Sequence, residues 1–274
     1  MATASDAPSS TAGRGMRRLP IWGFILLVLV YIVLVQFIPR LTKEEGGEYA
    51  TFQTVSEVIS GLWVTVGVGS AVALIAVAVL RWWRPVFIED AKQRLRGWVW
   101  VFPIIIIAAI VGGTAYGKLA DQGGTYILAM LLGAVFIGVS EEVMFRGVGV
   151  TAFRRAGFTE GWVALWTSVI FGLVHATNLF SEGIAALPQV LVTACAGYFF
   201  YLARRVSGGL WLPILLHGLW DFGSMSNLLG ESTSIGAGAF LVADAVMLII
   251  AVFTIRKIFP RLEKSADAEA STRA

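Results

Sequence analysis

Long apolar runs alternate with short polar segments along most of the chain. A helix needs about 20 mostly apolar residues to cross the roughly 30 Å hydrocarbon core of a bilayer. Eight segments approach that length: 21–38, 58–80, 99–116, 125–144, 162–179, 190–202, 210–228 and 236–255. The sixth is short, and we expect its helix to begin earlier, near Pro188. The pattern predicts an all-α, polytopic membrane bundle of about eight transmembrane helices.

The two ends of the chain differ in composition from this apolar region. Residues 1–18 are rich in Ser, Thr, Ala and Gly, and residues 260–274 are mostly polar or small. Such composition is typical of segments that bury too little apolar surface to fold. We therefore expect disordered tails at 1–18 and 260–274 around one transmembrane helical domain at 19–259.

The basic residues predict how the bundle is oriented. With the N-terminus in the cytoplasm, eight spans bring the C-terminus to the same side, and 18 of the 21 Lys and Arg then fall in cytoplasmic segments. The outer segments keep Arg40, Lys43 and Lys118. An excess of Lys and Arg on the inside is the usual topology signal of membrane proteins. Both termini are therefore predicted to be cytoplasmic.

Composition excludes several other classes of protein. Charged residues make up 14% of the chain and hydrophobic residues 57%, whereas about 25% charged residues is usual for a soluble domain. A single cysteine, Cys195, excludes an intrachain disulfide framework. The net charge of only +3, spread in short clusters between apolar runs, does not suggest a nucleic-acid partner. We expect an integral, multi-pass membrane protein surrounded by lipid.

A few ionisable residues fall within or at the ends of the predicted spans. An ionisable group at the centre of a transmembrane helix costs about 2.5–3.5 kcal/mol on insertion scales and is a functional candidate by default. The set comprises Glu141 and Glu142 at the end of the fourth span with Arg146 a turn later, His175 in the fifth, His217 and Asp221 in the seventh, and Asp244 in the eighth. The chain has only two histidines, and both belong to this set. For Asp244 we expect a helix-packing or snorkelling role.

Spacing brings most of these residues together. Residues four apart share one helix face, which pairs Glu142 with Arg146 as a bidentate ion pair, and His217 with Asp221. Phe171 stands in the same relation to His175, so its ring can wall the imidazole.

The depths of these side chains also agree. Glu141 and His175 lie 17 residues on either side of Phe158, which is in the predicted turn at 156–161. Helices that run antiparallel from this turn would bring the two side chains to a similar height. A carboxylate beside a neutral imidazole can take a proton from water, and a second imidazole can donate to a developing oxyanion.

Three motifs then resemble those of a known family. Glu141-Glu142-Val143-Met144-Phe145-Arg146 is similar to its Glu-Glu-x-x-x-Arg motif, Phe171-Gly172-Leu173-Val174-His175 to Phe-x-x-x-His, and His217-Gly218-Leu219-Trp220-Asp221 to His-x-x-x-Asn/Asp. The family is that of the CAAX proteases and bacteriocin-processing enzymes (CPBP, or Abi, proteins), which are intramembrane proteases. The resemblance covers about residues 125–223, the protease-like core.

The resemblance implies a hydrolase that cleaves a peptide bond with a glutamate-activated water. Glu141 would be the general base, His175 its partner, and His217 and Asp221 would line the oxyanion side. Glu142, Arg146 and Phe171 would support the site. From the family we expect a protein or peptide substrate that is prenylated or transmembrane. We also expect the protein to lie in the plasma membrane of a prokaryote.

A metal-dependent mechanism stays open beside this one. The best-understood eukaryote-type members of the family carry Asn where this chain has Asp221, and Asp has no amide N–H to donate. Glu141, His175, His217 and Asp221 together form a mixed nitrogen and oxygen set of the kind that binds a divalent ion such as zinc. No His-Glu-x-x-His zinc-protease motif is present. We favour water activation without a metal or other cofactor.

Two other functions fit the same residues. A proton-coupled membrane transporter would use the carboxylates and imidazoles as a relay, and it would be expected to show inverted repeats in its two halves. The polar residues concentrate in the second half instead. A catalytically inactive scaffold or immunity protein of the same family is the third interpretation, against which the intact motifs argue.

Overall fold

The computed structural model describes residues 15–42, 52–90, 94–230 and 236–259, and its regular elements are helices. One isolated β-bridge joins Ile88 to Gly209 within these ranges. The predicted tails, apart from residues 15–18, lie outside the described residues, as do Lys43 and Lys92.

The described helices longer than four residues are numbered in chain order. They are α1 (Ile21–Thr42), α2 (Val55–Leu80), α3 (Trp83–Phe87), α4 (Gly97–Gly113), α5 (Tyr116–Gln122), α6 (Gly124–Arg155), α7 (Glu160–Val174), α8 (Leu187–Ser207), α9 (Trp211–Ser226) and α10 (Ala237–Ile258). Between α7 and α8 the chain forms a 3₁₀ turn (His175–Asn178), one α-helical turn (Leu179–Glu182) and a second 3₁₀ turn (Gly183–Ala186).

Three helices are long and apolar enough to cross a membrane: α2, α6 and α10. The pair α4 and α5, bent by 58° at its break, forms a fourth candidate if it is one span, and Ile21–Gln36 in α1 is a shorter apolar helix. These counts refer to the described ranges. They support an all-helical integral membrane protein, while eight spans and the cytoplasmic termini stay predictions.

Several predicted boundaries shift in the structure. The helix of the sixth predicted span, α8, begins at Leu187 and has Pro188 in its first turn, as expected. Proline fits there because the backbone N–H of a first-turn residue needs no helical partner. The third predicted span is broken after Gly113, since Thr114 is extended and its N–H ends the helix on Ile110.

The fourth predicted helix is longer than the expected 125–144. It continues to Arg155 through a π-helical stretch at Glu142–Gly149. Glu141 and Glu142 therefore lie within a helix, where we had placed them at the end of a span. Such π-helical stretches are rare and often occur at functional sites.

Close helix crossings join α6 to α9 and α7 to α8. At Gly218 of α9, an added Cβ would lie 2.7 Å from the Ala134 carbonyl oxygen of α6, and Gly138 of α6 meets the backbone of Ile214 in turn. At Gly172 of α7, an added Cβ would lie 2.6 Å from the Val190 carbonyl oxygen of α8. Small residues at such crossings let membrane helices approach backbone to backbone. Each crossing lies within four residues of a motif His or Glu.

One end of the bundle carries a buried ion-pair cluster. Glu89, in the segment after α3, contacts Arg154 and Arg204 at 2.7 Å each. Glu160, at the start of α7, contacts Arg154 at 2.7 Å and Arg205 at 3.1 Å. The cluster thereby joins the ends of α6 and α8 to the start of α7.

Candidate active site

Glu141, His175, His217 and Asp221 line one cavity of about 220 Å³. They come from α6, the 3₁₀ turn after α7, and α9, so the structure brings together all four residues that the motifs singled out. The remaining lining residues are Phe171, Gln189, Val192, Thr193, Ala196, Phe200, Trp220, Ser224 and Asp244.

Glu141 presents an unpaired carboxylate oxygen to this cavity. Its Oε2 atom is buried, accepts no hydrogen bond from the described residues, and lies 3.6 Å from Nε2 of His217. The preceding residue, Ser140, is engaged elsewhere, since its hydroxyl lies 2.7 Å from the hydroxyl of Tyr31. Glu141 is therefore free to act on a molecule in the cavity.

His175 is oriented by the change of helix type at the end of α7. Its backbone N–H turns to the Gly172 carbonyl, and its Nδ1 lies 3.0 Å from the Phe171 carbonyl oxygen. Since a carbonyl only accepts, Nδ1 carries the proton in this arrangement and Nε2 keeps a lone pair. The Phe171 ring packs edge-on against the imidazole, with centroids 5.0 Å apart, as the four-residue spacing predicted.

His217 is held on several sides. Its Nδ1 lies 2.8 Å from Oε1 of Glu142, and its Nε2 lies 3.5 Å from Oδ2 of Asp221. The ring of Phe200 stacks on the imidazole at 4.6 Å with an interplanar angle of 16°. The ring position is thus fixed by a carboxylate and an aromatic face.

Glu142 and Arg146 are both fully buried, and their ion pair measures 3.0 Å from Nη1 to Oε1. The expected bidentate pairing is wrong, because the second oxygen of Glu142 has no partner among the described residues. Nε of Arg146 donates instead to the Gly197 carbonyl at 3.2 Å, and its guanidinium covers the Phe171 ring at 3.9 Å. Glu142 therefore links Arg146 to His217, a contact that the sequence did not reveal.

A second cavity of about 170 Å³ also borders Glu141 and His175. Its other walls come from α1 and from the turn after α7, and they include Tyr31, Gln36 and Thr177. Gln36 donates to the Thr177 hydroxyl at 3.2 Å. The glutamate and the histidine thus lie between two cavities.

Three residues at the site carried no motif in the sequence. Phe200 stacks on His217, Gln189 lines the cavity and accepts a hydrogen bond from Asn178 at 2.8 Å, and Asp244 forms part of the wall. The expected packing or snorkelling role of Asp244 does not account for its place at the cavity. Its signal in the sequence was a carboxylate alone in an apolar run.

The candidate metal ligands are Glu141, His175, His217 and Asp221. Among the described residues, no group of three or more His, Cys, Asp or Glu side chains is arranged to hold a metal ion. The Nδ1 atoms of both histidines contact acceptors, the Phe171 carbonyl and the Glu142 carboxylate, an arrangement that is also usual for histidines that bind a metal through Nε2. The four side chains as placed do not form a ready metal site.

Comparisons with known proteins agree with the motifs. Residues 123–223 match the family model described as type II CAAX prenyl endopeptidase, Rce1-like. An uncharacterized 24.3 kDa protein of Escherichia coli is 33% identical over 92 residues, which is 33% of this chain and 40% of that protein. The chain thus spans less than half the length of this curated relative. Residues 123–223 carry the signature of the Rce1-like CAAX endopeptidases, the family of intramembrane proteases that the three motifs predicted.

Proposed function

We propose that the protein is an intramembrane endopeptidase that hydrolyses a peptide bond of a membrane-associated or lipid-modified substrate. The observation that carries the proposal is the unpaired Oε2 of Glu141 in a cavity that His175, His217 and Asp221 also line. The family match supports a protease of the CAAX type. A prokaryotic plasma membrane as its location belongs to the same proposal.

The first step is the activation of a water molecule. Glu141 takes one proton from water, while the lone pair on Nε2 of His175 accepts a hydrogen bond and orients it. The oxygen forms a bond to the substrate carbonyl carbon, and the carbonyl electrons move to its oxygen. When the carbon–nitrogen bond breaks, Glu141 returns the proton to the leaving amine.

The second requirement is a donor for the oxyanion. Nδ1 of His217 faces the Glu142 carboxylate, which only accepts, so Nδ1 carries a proton. Nε2 then donates to the oxyanion only if the ring holds a second proton. Asp221 has no N–H, and its place 3.5 Å from Nε2 suits it to steady the protonated ring.

No step of this mechanism passes through a metal ion, because the four side chains do not form a ready ligand set. The metal-dependent alternative is tested directly. We expect full activity after exhaustive treatment with a chelator, in the presence of a quenched peptide substrate. Loss of activity that zinc alone restores would overturn the metal-free mechanism.

The main experiment uses the purified full chain in liposomes. A fluorogenic peptide bearing a C-terminal lipid-modified CAAX sequence, and a single-span transmembrane peptide, are offered to wild type, Glu141→Ala and His175→Ala. We expect each variant to lose at least about 100-fold in kcat, the usual range for a general base. Asp121→Asn, an exposed carboxylate at the end of α5, is the control and should retain wild-type rates.

Equal cleavage by wild type and both variants would overturn the assignment of these residues. Absence of cleavage by wild type, together with proton uptake by the liposomes, would favour the transporter interpretation.

A further inference from the structure

Asp244 is a buried carboxylate, and one of its oxygens has no hydrogen-bond partner among the described residues. It lies on α10, outside the three motifs and outside residues 123–223, and only 8% of it is exposed. Its Oδ1 atom is inaccessible and accepts no hydrogen bond from the described residues. Buried polar groups in native proteins are nearly always hydrogen-bonded, so an exception of this kind calls for a functional explanation.

The second observation is where the carboxylate lies. Asp244 forms part of the wall of the 220 Å³ cavity that Glu141, His175 and His217 line. A molecule bound for reaction at Glu141 is therefore within the same enclosed space as the unpaired carboxylate.

Aromatic rings flank Asp244. Phe200 and Trp220 line the 220 Å³ cavity together with Asp244. The Trp220 ring is itself fixed edge-on against Phe240, with centroids 4.8 Å apart. A carboxylate beside aromatic rings is a composition that favours a Lys or Arg side chain, through an ion pair and a cation–π contact.

The charges of the cavity point the same way. Its walls hold three carboxylates, of Glu141, Asp221 and Asp244, and no Lys or Arg. The nearby guanidinium of Arg146 pairs with Glu142 and covers Phe171, so it does not serve Asp244. A cationic group complements these walls better than an anionic or apolar one.

We propose that Asp244 is a substrate-binding residue that pairs with a Lys or Arg side chain close to the scissile bond. This proposal rests on the proposed peptidase function and adds a preference for substrates with Lys or Arg near the scissile bond. The ammonium or guanidinium donates to the Asp244 carboxylate at the cavity wall and packs against the aromatic rings. A neutral side chain leaves this carboxylate buried and without a donor. Such a difference is expected to change kcat/KM by about 10- to 100-fold.

The test compares peptides that differ at one position. Lys, norleucine and Glu are placed in turn at each of the three residues on either side of the scissile bond of the lipid-modified peptide. Norleucine keeps the length of Lys without its charge. For wild type we expect Lys to exceed norleucine by about 10- to 100-fold in kcat/KM at one of these positions, with Glu slowest.

Asp244→Asn should remove this preference, so that its kcat/KM values for the Lys and norleucine peptides agree within about threefold. The substitution keeps the size of the side chain. Asp244→Glu should keep a preference for Lys. Size-exclusion chromatography and thermal unfolding check that both variants are folded.

Two results would overturn the proposal: a wild type that treats Lys and norleucine alike at every position, or an Asn variant that slows all peptides by the same factor. Binding of the labelled Lys and norleucine peptides to Glu141→Gln, with and without Asp244→Asn, provides a readout independent of cleavage. A Lys preference in binding without any cleavage would overturn the peptidase assignment alone, and equal binding would overturn the role of Asp244 alone.

Discussion

At the scale of single residues, Glu141 and Glu142 are adjacent in sequence and opposite in surroundings. Glu142 is fully buried, pairs with Arg146 at 3.0 Å and accepts from His217 at 2.8 Å. Glu141 is 22% exposed at its side chain and keeps Oε2 unpaired. The two carboxylates should therefore contribute to different properties, one to folding and the other to reaction.

Substitution of each glutamate by glutamine separates these contributions. Glu142→Gln leaves Arg146 without its counter-charge, and breaking a buried ion pair usually costs about 3–5 kcal/mol. Glu141→Gln should change the free energy of unfolding by less than about 1 kcal/mol while abolishing peptide cleavage. Thermal unfolding in detergent and the cleavage assay measure the two effects. An equal loss of stability in both variants would contradict this division.

The role of His217 can be tested with side chains that keep a donor. His217→Gln retains an N–H that can reach an oxyanion, whereas His217→Ala does not. Loss of one oxyanion donor costs about 100- to 1,000-fold in kcat, so we expect the Gln variant to be at least tenfold faster than the Ala variant. Single-turnover rates on the lipid-modified peptide give the comparison. Identical rates for the two variants would favour a proton-transfer role for this ring instead.

Spacing alone predicted the partners that lie on one helix, such as His175 with Phe171 and His217 with Asp221. It did not predict the Glu142–His217 contact, because that contact joins residues 75 positions apart. Nor did it predict Phe200, whose role depends on how α8 packs against α9. Local periodicity does not encode such distant contacts.

At the scale of helices, the site depends on the crossing of α6 and α9. Gly138 and Gly218 bring the two backbones into contact, three and one residues from Glu141 and His217. Any side chain at the crossing must push the helices apart. The distance between the Glu141 carboxylate and the His217 imidazole therefore depends on glycine, which has no side chain, at positions 138 and 218.

Gly218→Ala should separate the helices and lower both stability and activity. Overpacking costs about 1–3 kcal/mol, and a displacement of about 1 Å at the chemistry costs about 100-fold in rate. Gly67→Ala in α2 is the matched control, because an added Cβ there meets no atom within 4 Å. It should be neutral or stabilising by about 0.5–1 kcal/mol. Unfolding midpoints and cleavage rates of the two variants test this prediction. If Gly218→Ala were as stable and as active as Gly67→Ala, the site would not depend on close approach of α6 and α9.

The helices themselves followed from the apolar runs, since each predicted span overlaps a described helix. The runs at 99–116 and 162–179 extend past the ends of α4 and α7. The π-helical stretch at Glu142–Gly149 and the change to 3₁₀ geometry at His175 did not follow. At His175 the ring Nδ1 lies 3.0 Å from the Phe171 carbonyl oxygen, the acceptor that a regular α-helix would give to the backbone N–H of His175. Hydrophobic periodicity in the sequence does not predict such local changes of helix type.

At the scale of the whole molecule, the ion-pair cluster of Glu89 and Glu160 ties together segments that are far apart in sequence. Burial alone would raise the pKa of Glu160, but hydrogen bonds and charges from Arg154 and Arg205 outweigh it and hold this pKa below its ordinary value. A carboxylate with a lowered pKa stabilises the fold above its unfolded pKa of about 4.3, and this contribution is lost as the pH falls through the folded value.

Glu160→Gln should therefore destabilise the protein at pH 7 by about 1–3 kcal/mol, the range for hydrogen bonds to charged groups. The difference from wild type should shrink as the pH falls below about 4, where the wild-type carboxyl also loses its charge. Thermal unfolding at a series of pH values measures it, with Asp121→Asn as an exposed control. A difference that stays constant down to the acid limit would contradict the ionic origin of the stability.

The basic residues predicted the orientation of the chain, and the structure gives several of them a further role. Arg154, Arg204 and Arg205 were counted as cytoplasmic charges, yet each contacts a carboxylate within the bundle. Charge counting could not identify Glu89 and Glu160 as their partners, because these acidic residues lie in other segments. The direction of insertion can be read from such charges, but their pairing depends on the folded chain.

The two cavities on either side of Glu141 and His175 have a kinetic consequence. A peptide seated against His217 and Asp221 fills the cavity of about 220 Å³ and leaves the one beside Gln36 uncovered. Under the proposed peptidase function, this second cavity would supply water to Glu141 while the peptide is bound. Water and substrate would then bind in no fixed order, and the next water could enter before the cleaved fragments leave.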